Sequence, residues 1–91
     1  MNDIHNMTPE ALEREIRSEL PIGSPVISVG EYLKQRGIEY SFEAPTKILY
    51  ATARKLKGST KLASKSLTLQ FHFDNASKLK SIEAKVSYTG P

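Results

Sequence analysis

Nine of the thirteen basic residues of this 91-residue chain lie after position 46. Arg54, Lys55, Lys57, Lys61 and Lys65 flank Gly58, Lys78 and Lys80 follow a turn-like Asp-Asn-Ala-Ser run, and Lys85 comes soon after. Amines and guanidinium groups gathered this way neutralise phosphates or carboxylates, which is the chemistry of holding an anionic macromolecule. The same lysines also keep strand edges soluble. Residues 1–46 sum to −4 and residues 47–91 to +7, so the net charge of +3 belongs to a dipolar molecule. Binding of single-stranded nucleic acid adds exposed aromatic rings for the bases to stack on. Phe71, Phe73, Tyr50 and Tyr88 fall on apolar phases that the core claims. The expected partner is therefore an acidic protein surface, met by Arg54, Lys55, Lys57, Lys61, Lys65 and Lys85. Nucleic acid held by the basic strands and loops is the alternative.

Catalytic chemistry finds little to work with. His72 stands near Gln70 and Glu83, but a general base or metal ligand needs a nucleophile or further ligands beside it. His5 is far away in sequence, and its outward strand phase makes His72 an ordinary solvent-side residue. Glu10, Glu13, Glu15 and Glu19 share one helix and read as a solvated face. No nucleophile elbow and no glycine-rich phosphate loop occurs. With no cysteine, disulfides, thiolate nucleophiles and Cys-ligated zinc are all excluded. The expectation is a protein that is not an enzyme and uses no metal and no cofactor.

The elements that position the basic residues follow from periodicity. Residues 1–7 read as a flexible N-terminus, and residues 8–91 as a single domain. Thr8-Pro9 is an N-cap followed by proline at the first helical position, and Leu12, Ile16 and Leu20 make one apolar stripe. Ser24-Pro25 repeats the device for a second helix reaching Arg36, with Val26, Val29 and Leu33 on one face and Gly30 marking close packing. Gly37 then supplies a left-handed end, with Ile38 folding back toward Leu33.

From Ile38 the period changes to two. Ile38, Tyr40 and Phe42 define a half-buried strand, and Lys47 to Lys57 a second with Ile48, Tyr50 and Leu56 on its inner face. Leu67, Leu69, Phe71 and Phe73 alternate with Ser66, Thr68, Gln70 and His72 in the third. Ile82, Ala84, Val86 and Tyr88 form the inner face of the fourth. Leu79 is out of phase with that set, which demands a bulge near Lys80-Ser81 and places Phe71 opposite Ile82, Leu69 opposite Ala84 and Leu67 opposite Val86. Two helices followed by four strands predict an α+β fold, with the helices on one face of an antiparallel meander and the outer face of the sheet positive.

Leu20-Pro21-Ile22-Gly23-Ser24-Pro25, then Val29, Leu33 and Gly37, Ile48-Leu49-Tyr50, and Leu69-Gln70-Phe71-His72-Phe73-Asp74 before Lys78-Leu79 resemble the SmpA/OmlA (BamE-like) group and the related repeat of the β-lactamase-inhibitor-protein fold. The resemblance covers about residues 20–88. It implies a bacterial, non-enzymatic interaction module: an inhibitor, an immunity-type partner or an envelope-assembly accessory. The chain lacks that group's lipobox cysteine, and a proline follows Ser24. The first residues have no basic region and no apolar run, which fits a cytoplasmic protein as written, or a periplasmic one after removal of a signal.

Overall fold

The computed structural model describes residues 4–58 and 63–89. A 3-10 turn (Ile4–Asn6) precedes helices α1 (Pro9–Glu19) and α2 (Val26–Gln35), which are followed by strands β1 (Glu39–Glu43), β2 (Ile48–Ala53), β3 (Ser64–Phe73) and β4 (Leu79–Thr89). The strands form one antiparallel sheet in the order β1-β2-β3-β4. Both helices lie on one face of it, α1 over β3 and β4 and α2 beside β1. The α+β architecture is the one that the order of elements predicts.

Local chemistry sets most of the boundaries. The Thr8 hydroxyl accepts the Ala11 N–H at 3.1 Å, Pro9 opens α1, and Leu12, Ile16 and Leu20 are buried. At the end of α2, Ile38 N–H donates to Leu33 O and Gly37 N–H to Lys34 O, with Gly37 at φ 72°. These are the paired bonds of a Schellman ending, and Ile38 is buried beneath them. The β3–β4 register also agrees: Phe71 pairs with Ile82, Leu69 with Ala84 and Leu67 with Val86. The shift falls between His72 and Phe73, so His72 faces Ser81 while Phe73 faces Leu79. Lys80 is the extra residue, and Leu79 is thereby buried.

Several expectations need correction. Ser24 does not cap α2; its hydroxyl donates to Pro21 O, and Pro25 stands outside the helix in an extended conformation bridged to Lys78. Bonds from Gly23 N to Leu79 O, Leu79 N to Ser24 O and Val26 N to Ser77 O explain this. The sheet claims those backbone groups before the helix can.

In β2 the buried residues are Leu49, Ala51 and Ala53, while Ile48 and Tyr50 point to the other face. Pairing with β3 fixes that phase, since Leu49, Ala51 and Ala53 stand opposite Phe71, Leu69 and Leu67. The strand ends at Ala53 because Lys55 turns with φ 55°; Leu56 re-enters the core from the loop.

All five residues of β1 are exposed, so it is not half-buried. Tyr88 has the inward phase but is 64% exposed, so the core does not extend to that end of β4. Residues 4–7, read as flexible from the sequence, are packed instead. Ile4 is 5% exposed, His5 Nδ1 lies 2.9 Å from Lys55 O, and Lys57 N–H donates to Met7 O. They close the end of the core that the early stop of β2 leaves open.

Candidate functional site

Three places in this frame could meet a partner. The first is the sheet end where β2 stops and β3 begins. Leu56 N–H donates to Lys65 O, which runs the 54–58 segment beside the start of β3. Gly58 packs so closely on the Lys65 stem that a Cβ there would lie 2.8 Å from Lys65 Cδ. Lys65 Nζ lies 5.3 Å from the centre of the Tyr88 ring, within cation–π range. Arg54, Lys55, Lys57 and Lys65 therefore lie at the same end of the sheet, with exposed Tyr88 beside Lys65 on the inner phase and Arg54 turned with Glu39 to the outer face. Arg54 is partly offset by Glu39, whose carboxylate lies 2.8 Å from its Nε. Lys61 lies outside the described residues. Lys85 does not join the group: it stands opposite Thr68 on the outer face of the sheet, in a shallow hollow with Gln70 and Glu83.

That outer face is the second place, and it corrects another expectation. Register puts Glu39, Glu43 and Glu83 on it against Lys85, with Arg54 just beyond the end of β2. With Lys80 at the bulge also on this side, the outer sheet face is mixed in sign among the described residues, not uniformly positive. The acidic helices do not leave the sheet purely basic because β1 belongs to the acidic half of the chain. His72 is here as expected, partly covered, with Nε2 2.7 Å from Glu83 Oε2. Tyr50 is exposed between the glutamates, not committed to the core.

The third is a groove of about 350 Å3 between α2 and β1, with Ile27, Gly30 and Lys34 on one wall and Tyr40 and Phe42 on the other. The close packing expected at Gly30 is not required here, since a Cβ there would meet the Tyr40 ring at 3.6 Å, an ordinary van der Waals contact. Phe42 meets Phe73 edge-on, with ring centres 6.1 Å apart. Tyr40 and Phe42 are not fully covered, at 43% and 42% exposure, and Ile27 is 74% exposed.

A polar cluster that sequence reading missed ties the two helices together. Arg36, with only 7% of its side chain exposed, places Nη2 2.8 Å from Glu15 Oε2 and 3.1 Å from Met7 Sδ. The Tyr32 hydroxyl donates to the same carboxylate. Burial, reinforced by Glu15, pushes the Tyr32 phenol well above its ordinary range. Glu15 thus leaves the solvated face assigned to it. The available signal was position: residues 32 and 36 are one turn apart and share a helix face.

Among the described residues no three histidine, aspartate or glutamate side chains gather as metal ligands. No described helix is long and apolar enough to cross a membrane. No family profile, curated protein or solved structure matches the chain.

Proposed function

We propose that this protein is a small non-enzymatic interaction module whose cationic sheet end binds an acidic segment of another protein. The observation that carries the proposal is that two chain segments bring Arg54, Lys55, Lys57 and Lys65 to one end of the sheet, where Lys65 lies against exposed Tyr88. Such a patch offers directed positive charge with an amphipathic ring to cover apolar atoms, and it speeds encounter with an acidic surface. The inhibitor, immunity-type or envelope-assembly roles implied by the SmpA/OmlA resemblance are instances of this reading.

A second reading, single-stranded nucleic acid at the same end, is favoured by Tyr88, a ring on which a base could stack. Two outer-face carboxylates disfavour it, since a strand leaving the patch across the sheet would meet Glu39 and Glu83. The test compares oligoglutamate with oligothymidylate, using the native chain and Lys55→Glu/Lys57→Glu. Oligoglutamate should bind the native chain with a marked salt dependence that the double reversal flattens. Binding of the oligonucleotide tighter than about 1 μM at ~150 mM salt, lost in the variant, would move the assignment to nucleic acid. If the reversal alters neither ligand's binding, this end is not the contact surface.

A further inference from the structure

The two edges of the sheet are unlike. At β4, the Lys80 bulge interrupts the ladder, and Arg17 Nη2 from α1 lies 3.3 Å from Ile82 O. Both are ways of blunting an edge. At β1 there is no bulge in the pairing with β2, and every residue is exposed.

The direction of the free backbone groups follows from the register. Phe73 N–H donates to Lys47 O, so residues 47, 49, 51 and 53 turn their amides toward β3. By alternation, Ile48, Tyr50 and Thr52 face β1 and bond with Glu43, Ser41 and Glu39. Tyr40 and Phe42 therefore present their N–H and C=O groups at the open edge. Those are also the two residues whose rings line the α2–β1 groove. Backbone hydrogen bonding and apolar contact are offered side by side, which is what strand addition uses.

Charge decides the occupant. An added strand would place alternate side chains beside Glu39, Ser41 and Glu43 on the outer face, and the others in the groove. A second copy of this chain, docked antiparallel about Ser41, would set Glu39 directly against the other copy's Glu43 twice over, and like charges opposed on a sheet are destabilising. A segment with Lys or Arg at the outward positions gains where the self-pairing loses. We propose that β1 is a docking edge for an extended segment of another protein in which apolar and basic residues alternate, the apolar ones seated against Tyr40, Phe42 and Ile27. The site meets the cationic end only at the Glu39–Arg54 pair and does not depend on that assignment.

The test uses three blocked hexapeptides with the 15N-labelled chain: Lys-Val-Arg-Ile-Lys-Val, the same peptide with glutamate at the basic positions, and the scrambled Lys-Lys-Arg-Val-Ile-Val. The alternating basic peptide should shift the amides of β1 and α2 and slow hydrogen exchange at Tyr40 and Phe42. At the β1 and α2 amides the other two should bind at least ten-fold more weakly, the glutamate peptide shifting the cationic end instead. Glu39→Lys/Glu43→Lys should reverse the preference at the β1 amides toward the glutamate peptide. Phe42→Pro removes an outward N–H while leaving the bonds to β2, and Ile27→Asp alters a side chain that the core does not use. Each should lower affinity at least ten-fold; Ile27→Asp should do so with little change in Tm, whereas Phe42→Pro also gives up the ring contact with Phe73 and lowers Tm. Equal binding of the scrambled peptide, shifts from the alternating basic peptide confined to β4 or the cationic end, or self-association through β1 in place of peptide binding would overturn the proposal.

Discussion

Removal of Glu15 tests the polar seam between the helices most directly. Arg36 carries a full charge on a side chain with 7% exposure, and its Nε and Nη1 are buried without a protein partner among the described residues. Glu15→Ala would leave that charge with the neutral Met7 Sδ and the Tyr32 hydroxyl beside it and no counter-charge. Stranding one member of a buried pair costs about 3–5 kcal/mol. One third of the Glu15 side chain is exposed, so water screens the pair and about 2–3 kcal/mol is expected. For a domain of this size that lowers Tm by roughly 10–20 °C. Arg36→Met should cost less than about 1 kcal/mol, because it takes the buried charge away and lets Glu15 rehydrate. The double variant should then be more stable than Glu15→Ala alone. Urea titration of the four proteins gives the coupling directly. A cost below about 0.5 kcal/mol for Glu15→Ala, or simple additivity in the double variant, would refute the view that Arg36 is held as a buried charge.

Phe71→Ala or Leu69→Ala should each cost about 2–5 kcal/mol in denaturant titration, since both side chains are wholly buried in the middle strand; a near-zero cost would mean that the strand phase is inverted. Gly37→Ala forces a side chain into the left-handed region and should cost about 1–2 kcal/mol by thermal melting, with the loss confined to the end of α2 in hydrogen exchange. The Tyr32 phenol is held protonated in the folded chain beyond its ordinary value of about 10. Its contribution is fully present below that pH and falls away as pH rises above it, because only the unfolded chain then releases the proton. The loss of stability between pH ~9 and ~11 should accordingly be shallower in Tyr32→Phe than in the native chain.

The strength of each local signal decided what the sequence could reveal. In β3, four large apolar residues alternate with four polar ones, and that pattern fixed the phase, the partner register and even the Lys80 bulge. The caps at Thr8 and Gly37 were equally legible because their bonds are local. β2 was misleading: its buried residues are two alanines and a leucine, while the bulkier Ile48 and Tyr50 face outward, and only pairing with β3 reveals this. Tyr88 shows a different limit. Its phase reads inward, but phase says nothing about whether the core extends far enough to cover it. The cationic end was visible as a run of lysines, yet its composition was not. Lys65 reaches it through a strand, and Lys85 is turned away. The outer-face charge failed because a half-chain sum ignores that β1, from the acidic half, lies in the same sheet as the basic strands.

The clip between residues 23–26 and 77–79 has a kinetic meaning. Every strand pairing in the meander joins neighbours in sequence, so each closes a short loop and meets a small entropic barrier. The Pro25–Lys78 bridge spans about 50 residues and gains little until the sheet already exists to receive it. The helical layer is therefore tied down after the hairpins have formed, and the β3–β4 turn serves as its anchor. Mutations in that turn that leave the hairpin intact should act mainly on the rate at which the native chain opens, not on the rate at which the sheet assembles.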